Sequence, residues 1–152
     1  MTRYRLRIVD DACWGCRTCE VACKQENGAP TGVRLIKVKE EGPIRDGDGL
    51  RFRFRVARCR HCRRPRCVEA CPSGAIHRRE DGIVVLREEA CDGCRACITA
   101  CPHGAIGFDE QRRVAAKCNL CVHRIDQGLL PACADNVCLA HCIHLVGAET
   151  TG

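Results

Sequence analysis

The chain has 152 residues, of which 3% are aromatic and one is methionine, so it offers little large apolar mass from which to build a core. Its formal net charge of +6 would suggest an acidic partner, but that sum counts all seventeen cysteines as neutral. It contains no run of 18 apolar residues, and we therefore expect no direct membrane span.

A predicted strand and a cysteine motif open the chain. Alternating apolar residues at Tyr4, Leu6 and Ile8 predict the strand. Motif one follows with the spacing C-x2-C-x2-C-x3-C, and its members are Cys13, Cys16, Cys19 and Cys23. No apolar signal-peptide core precedes Cys13, so we expect reduced thiols and a cytoplasmic protein.

Loops and short strands are predicted between motifs one and two. Segments 27–32 and 42–49 are rich in glycine, proline and aspartate, which predicts surface loops around a short strand near 34–39. Alternation at Phe52, Phe54 and Val56 predicts another strand.

The middle of the chain consists of two copies of one unit. The segment 70–76, ACPSGAI, returns 30 residues later as ACPHGAI at 100–106. Each copy predicts a cysteine loop, a short helical turn and then a hairpin, with turns at 80–82 and 109–113. The cysteines of motifs two and three are Cys59, Cys62, Cys67, Cys71 and Cys91, Cys94, Cys97, Cys101.

Motif four leaves its last member open. Cys118, Cys121 and Cys133 are followed by both Cys138 and Cys142. Aligning 138–143 with 71–76 places Cys138 on the ligand position and Cys142 on a small buried residue. We favour Cys138, with a one-residue insertion before it, and keep Cys142 as the alternative.

Sixteen cysteines thus fall into four groups of four, which predicts iron–sulfur clusters. Motifs one and three have the spacing of 4Fe-4S ligands, and a proline follows Cys71 and Cys101 as in bacterial ferredoxins. Disulfides fit poorly because three thiols within seven residues cannot easily reach distant partners. Zinc fits poorly because a structural zinc site uses two pairs separated by a loop. The sequence therefore predicts an anaerobic electron carrier with four 4Fe-4S clusters; a zinc-binding interaction or nucleic-acid module is the remote alternative.

The clusters also change the charge balance. Four oxidised clusters of about −2 each would bring the sum to about −2. We therefore expect the basic residues to compensate the clusters, and we expect no nucleic-acid partner. Eight arginines between Arg51 and Arg66 fit a solvated strand face, docking of an acidic partner, or a raised potential of a nearby cluster.

At the level of families, residues 51–112 resemble a two-cluster bacterial ferredoxin. The order of the four motifs, over nearly the whole chain, resembles the four-cluster iron–sulfur subunits of molybdenum and tungsten pterin oxidoreductases. That family serves dimethyl sulfoxide reductase, formate dehydrogenases and aldehyde oxidoreductases, among others.

The resemblance implies that the chain transfers electrons between a catalytic pterin subunit and a second redox protein or subunit. It implies no catalytic residue in this chain and leaves room for self-association of electron-transfer subunits. A free polyferredoxin serving several oxidoreductases is the alternative. The family closes motif four with C-x3-C, and this chain departs from that spacing. We also expect no C-terminal extension for docking on a membrane subunit.

The resemblance also implies how the cysteines are shared. In two-cluster ferredoxins the fourth cysteine of each run binds the other cluster. The implied ligand sets are Cys13, Cys16, Cys19 and Cys138, or Cys142 in its place (site 1); Cys118, Cys121, Cys133 and Cys23 (site 2); Cys59, Cys62, Cys67 and Cys101 (site 3); and Cys91, Cys94, Cys97 and Cys71 (site 4). The expected fold is α+β, a single domain 1–152 of two interleaved ferredoxin-like halves, one at 51–112 and one discontinuous at 1–50 plus 113–152.

Overall fold

Short strands form where the alternating apolar residues stand, and short helices follow the cysteine loops. The computed structural model describes residues 3–134 and 136–147. The strands are β1 (Arg5–Ile8), β2 (Ile36–Asp46), β3 (Gly49–Arg58), β4 (Ile76–Arg78), β5 (Val84–Leu86), β6 (Ile106–Asp109), β7 (Val114–Lys117) and β8 (Ile143–Val146). The helices are α1 (Thr18–Asn27), α2 (Arg66–Glu69), α3 (Ala96–Ala100) and α4 (Val122–Ile125). The fold is a mixed α+β arrangement of small elements.

The strands form antiparallel pairs, and one pair joins the two ends of the chain. β1 lies beside β8, with Arg5 opposite Val146 and Ile8 opposite Ile143. The other pairs are the hairpins β2–β3, β4–β5 and β6–β7. Because motif one follows β1 and motif four precedes β8, this pairing brings the first and last cysteine motifs together.

The twin hairpins predicted from the repeat are confirmed. β4 pairs with β5 and β6 pairs with β7, each in an antiparallel register around the predicted turn. Ile76 and Ile106 occupy equivalent positions and both are buried.

The hairpin β2–β3 is longer than the sequence predicts. The loop expected over 42–49 is wrong, because β2 continues to Asp46 and β3 begins at Gly49. The register of the ladder shifts between Glu41 and Ile44, a bulge that accommodates the Gly-Pro dipeptide within the strand. The turn itself is only two residues long.

The longest helix, α1, lies directly on motif one. It begins after Arg17 in a left-handed conformation and ends at Gly28, whose N–H donates to the Lys24 carbonyl. Cys19 and Cys23 stand four residues apart and therefore on the same face of the helix, and both are buried.

Sulfur fills much of the interior. One buried group joins apolar residues of β1, β2 and β8 to Cys19, Cys23, Cys133, Cys138 and Cys142. A second group joins β4, β5, β6 and β7 to Cys97. The cysteines therefore occupy places where a chain richer in aromatic residues would place large apolar side chains.

Candidate metal centres

The cysteine motifs share one turn, set by a left-handed residue two positions after the first cysteine of each. In motifs one and three this residue is glycine, Gly15 with φ 72° and Gly93 with φ 74°. In motif two it is His61 with φ 45°, and in motif four it is Leu120 with φ 59°. Side chains rarely adopt this conformation, so its use by histidine and leucine indicates that the loop shape is imposed by the surrounding fold.

Close packing explains why glycine occupies two of these turns. A Cβ at Gly15 would lie 2.4 Å from the Phe54 ring, and one at Gly93 would lie 2.5 Å from the Arg113 carbonyl oxygen. A backbone oxygen cannot swing aside as a ring can, so the constraint at Gly93 is the stricter of the two.

Site 1 joins motif one to the end of motif four. Burial raises the pKa of the Cys19 thiol to about 12, with further contributions from Glu20, Cys138 and Cys13. Cys16 is exposed, and a hydrogen bond with the Thr18 hydroxyl lowers its pKa. Cys13, Cys19 and Cys138 of site 1 therefore lie near one another in space, and Cys16 lies beside Leu139, the residue after Cys138.

The two candidates for the last position of site 1 differ in their local geometry. After Cys71, Cys101 and Cys138, though not after Cys23 within α1, the residue three positions on has positive φ and donates its N–H to the carbonyl of that cysteine. The three donor–acceptor pairs are Gly74 to Cys71 (3.2 Å), Gly104 to Cys101 (3.3 Å) and His141 to Cys138 (2.9 Å). Cys142 is 1% exposed, like the completely buried Ala75 that it was aligned with. The turn geometry therefore supports Cys138 as the equivalent of Cys71 and Cys101.

Site 2 joins motif four to the last cysteine of motif one. Burial raises the pKa of the Cys23 thiol to about 12, followed by the influence of Cys118 and Cys121. Burial also raises the pKa of Cys133, next to Cys118 and Cys23. Asn27 donates to both Cys23 Sγ (3.7 Å) and Cys121 Sγ (3.5 Å), and so links the two motifs directly.

Site 3 surrounds a small cavity. All four predicted members line it, namely Cys59, Cys62, Cys67 and Cys101. Burial raises the pKa of Cys67, which also interacts with Lys117, Cys59 and Cys101. The cysteine contributed by motif three therefore shares a cavity with those of motif two.

Site 4 gathers motif three around Cys71. Burial raises the pKa of the Cys97 thiol to about 11, followed by the influence of Cys71, Cys91 and Cys94. The Ala115 N–H donates to Cys91 Sγ at 3.5 Å. Cys94 is exposed at the surface.

The donor sets fit the chemistry of a 4Fe-4S cluster, which binds four thiolates through four different irons. Thiols with raised pKa values are protonated in the absence of metal, and iron binding releases those protons. Backbone N–H groups already donate to sulfur in these sites, as they do from His61 to Cys59 (3.5 Å) and from Leu120 to Cys118 (3.3 Å). Among the described residues, no three His, Cys, Asp or Glu side chains converge closely enough to hold a single metal ion.

Two polar residues near the cysteines were not anticipated from the sequence. Asn27 follows Cys23 by one helical turn, a spacing that would have predicted its contact with sulfur had α1 been predicted. Lys117 precedes motif four and is buried, which no local pattern indicates.

Four-cysteine groups on ferredoxin-like loops define a protein that binds several 4Fe-4S clusters. Residues 50–147 match the 4Fe-4S dicluster domain family, and residues 10–29 match a 4Fe-4S binding domain. The chain belongs to the 4Fe-4S dicluster family, and its cofactors are 4Fe-4S clusters.

Relatives with named roles are similar over most of the chain. A subunit of the tetrathionate reductase of Salmonella typhimurium is 40% identical over 135 residues, covering 88% of this chain and 54% of the relative. A subunit of the anaerobic dimethyl sulfoxide reductase of Escherichia coli is 37% identical over 142 residues, covering 89% and 69%. The electron transfer subunit of the thiosulfate reductase of Salmonella typhi is 40% identical over 138 residues, covering 90% and 71%. The chain thus spans about half the length of the first relative and about seven-tenths of the other two.

Within residues 3–134 and 136–147, no helix combines the length and the apolar character needed to cross a bilayer.

Proposed function

We propose that this chain is the electron-transfer subunit of an oxidoreductase complex, relaying single electrons through four 4Fe-4S clusters between a molybdenum or tungsten pterin catalytic subunit and a second redox partner. The observation that carries the proposal is the match of residues 50–147 to the 4Fe-4S dicluster domain family, in a chain whose cysteines form four motifs. Each cluster, when bound, accepts and releases one electron, and the chain supplies ligands, spacing and electrostatic surroundings.

We propose that the cysteines of sites 1 to 4, as defined above, are the ligands of the four clusters. The assignment is supported by the mutual influence of the thiols across motifs, such as Cys23 with Cys118 and Cys97 with Cys71. The same sharing supports two interleaved halves, 51–112 and the discontinuous 1–50 plus 113–152. The pairing of β1 with β8 and the hydrogen bond from Thr18 Oγ1 to the Val137 carbonyl (2.8 Å) tie the discontinuous half together.

We infer the order of the relay from the electrostatic interactions between thiols of neighbouring sites. Cys19 of site 1 influences both Cys23 and Cys133 of site 2. Cys59 of site 3 has the largest influence of any neighbouring thiol on Cys118 of site 2. Sites 3 and 4 are joined because motifs two and three exchange their last cysteines. The proposed order is therefore 1, 2, 3, 4.

Electrons would enter and leave at the two ends of this order. The exposed cysteines are Cys16 of site 1 and Cys94 of site 4, whereas those of sites 2 and 3 are buried or half-buried. Beside Cys16 lie Trp14 and Leu139, with 66% and 54% of their surfaces exposed. Large exposed apolar side chains next to a cluster ligand suit the docking of a redox partner.

The names of the relatives narrow the partner further. All three are parts of reductases that act on dimethyl sulfoxide, tetrathionate or thiosulfate. We therefore favour a catalytic partner that reduces a small sulfur or oxyanion substrate over the aldehyde or formate oxidation that the sequence resemblance also allows. In this proposal electrons flow from the second redox partner toward the catalytic subunit. The chain alone would turn over no substrate, and we place the loading of its clusters in the cytoplasm, where thiols stay reduced.

Anaerobic purification of the tagged chain from its own host tests the proposal. We expect about 16 iron atoms per chain, reduction by dithionite in one-electron steps, and a pterin-containing catalytic protein in stoichiometric association. The isolated chain should reduce none of the three sulfur substrates. A count near eight irons, or substrate turnover by the pterin-free chain, would contradict the proposal. Recovery of the chain with four clusters but no stoichiometric partner would favour the diffusible polyferredoxin instead.

A further inference from the structure

Lys117 is a buried lysine at the end of β7, only 6% exposed. Its Nζ donates to the carbonyl oxygens of Val84 and of Cys118, the latter at 2.7 Å. Within residues 3–134 and 136–147, it forms no ion pair with a carboxylate. A fully buried lysine is rare in proteins unless an anion is close by.

Two of the proposed cluster sites lie near Lys117, and an anionic cluster at either one could balance its charge. It is adjacent in sequence to Cys118 of site 2, and it lines the same cavity as the four cysteines of site 3. The ammonium group therefore stands between the two interior sites.

Arg58, at the end of β3, is a second cation in the same region. Its Nη2 donates to the Leu6 carbonyl at 2.7 Å, while its buried Nε has no hydrogen-bond partner among the described residues. Arg58 directly precedes Cys59 of site 3 in the sequence. Arg58 therefore adds a second positive charge beside site 3.

His61 lies near both cations without adding a third charge. Its Nδ1 accepts a hydrogen bond from the Val84 N–H at 3.0 Å, so the neutral ring carries its proton on Nε2. Burial, Lys117 and Arg58 together lower the pKa of His61 to about 3. With Nδ1 occupied as an acceptor, the ring adds no positive charge near Lys117 and Arg58.

We propose that Lys117, assisted by Arg58, is a positioning residue that raises the reduction potentials of the clusters at sites 2 and 3. Reduction adds one electron, and so one negative charge, to a cluster whose four thiolates already make it anionic. A fixed cation in a low-dielectric interior favours that added charge. The two interior clusters would then hold an electron more readily than the same ligands alone would allow. This inference rests on the proposed function as a four-cluster relay.

The test is a redox titration of the isolated, iron-loaded chain, followed by electron paramagnetic resonance. Lys117→Met and Lys117→Gln remove the charge, Lys117→Arg keeps it, and Lys39→Met removes an exposed lysine of β2 as the matched control. Cys133→Ser and Cys62→Ser variants identify the signals of sites 2 and 3. We expect both neutral variants to shift the ratio of reduced to oxidised cluster at these two sites at least tenfold toward the oxidised form, equivalent to about 59 mV for one electron.

The control variants separate this inference from the proposed function. Lys117→Arg and Lys39→Met should keep the wild-type potentials at all four sites. Unchanged potentials in Lys117→Met and Lys117→Gln would overturn the inference while leaving a four-cluster relay intact. A drop in Lys117→Arg as large as in Lys117→Met would also overturn it, since the charge would not be the cause. If both neutral variants fail to hold iron at sites 2 and 3 while Lys117→Arg holds it, the charge requirement is supported; loss of iron in Lys117→Arg as well would refute it.

Discussion

Cys138 Sγ and Cys142 Sγ lie 3.5 Å apart in the interior, and the Cys142 N–H donates to Cys138 Sγ at 3.4 Å. Either thiol is placed to be the fourth ligand of site 1, since Cys142 also interacts with Cys13. The turn after Cys138 has the hydrogen bond and the positive φ found after Cys71 and Cys101. The same turn is missing after Cys142, which passes directly into β8.

The first prediction is that Cys138→Ala converts the cluster at site 1 to a three-iron form, whereas Cys142→Ala leaves four iron atoms there. Removal of a ligand exposes one iron to loss, while removal of an unligated thiol takes away only a small, nearly apolar side chain. Electron paramagnetic resonance of the oxidised protein distinguishes the variants, because a three-iron centre gives a signal and an intact cubane of this type does not.

The double variant is the control for ligand replacement. If Cys138→Ala keeps four irons and only Cys138→Ala with Cys142→Ala loses one, Cys142 substitutes for Cys138 and the single-ligand assignment is incomplete. A three-iron signal in Cys142→Ala alone would reverse the assignment.

The second prediction concerns removal of the clusters. Because buried cysteines occupy much of the interior and the chain has few large apolar residues, chelation of iron should unfold the protein. Protons compete with iron for thiols such as Cys19 and Cys23, whose pKa values are about 12, so iron retention should fall as the pH falls. Circular dichroism and limited proteolysis follow the loss of structure. Apoprotein with the spectrum and protease resistance of the loaded form would contradict this expectation.

The third prediction concerns the turn in motif three. Gly93→Ala should impair cluster binding at site 4, because its Cβ would meet the Arg113 carbonyl oxygen at 2.5 Å in addition to the strain of φ 74°. Gly104→Ala is the matched control, since φ is 55° there but no atom lies within 4 Å of the added Cβ. We expect the control to keep its iron and to lose about 1–2 kcal/mol of stability from the left-handed backbone alone. Equal iron content and equal midpoints of chemical unfolding in the two variants would show that the close approach at Gly93 affects neither cluster binding nor stability.

The fourth prediction concerns the contact between α1 and β2. Glu20 is buried and accepts hydrogen bonds from the Val38 N–H (2.6 Å) and from Arg34 (3.0 Å). Glu20→Ala leaves a buried N–H without a partner, which costs about 1–3 kcal/mol. Glu40→Ala, on an exposed position of β2, should change the free energy of unfolding by less than about 0.5 kcal/mol. Chemical denaturation of the loaded protein measures both, and similar losses in the two variants would exclude the proposed role of Glu20.

Hydrophobic periodicity and motif spacing allow part of the secondary structure to be predicted from the sequence. The hairpins after motifs two and three were predictable because each repeat carries its own turn signal between short apolar runs. The loop over 42–49 was wrong because a bulge lets a strand continue through a Gly-Pro dipeptide, which composition alone does not reveal. Helix α1 was not predicted, since its sequence has little apolar periodicity and two of its buried residues are cysteines.

Some features of the candidate sites can be predicted from the sequence, and others cannot. Membership of motifs one to three can be predicted from local spacing, because their cysteines are close in sequence, whereas the spacing of motif four leaves Cys138 and Cys142 as alternatives. The contacts of Lys117 and Arg58 cannot be predicted, because they join segments that are distant in sequence, such as β7 with β5 and β3 with β1. His61 and Leu120 take the left-handed conformation that glycine has in the other two motifs, which shows that motif geometry persists where the favoured residue is absent.

The pairing of β1 with β8 sets an order of events during biosynthesis. A ribosome releases the chain from its N-terminus, so all eight cysteines assigned to sites 3 and 4 emerge before Cys118 does. Arg5, by contrast, finds its partner Val146 only when nearly the whole chain has been made. On the ligand sets proposed above, motif one is synthesised first but lacks part of its ligand sets until motif four has been made. Iron insertion at sites 1 and 2 would then be a late step, and the thiols of motif one, which are made earliest, would stay without iron for longest.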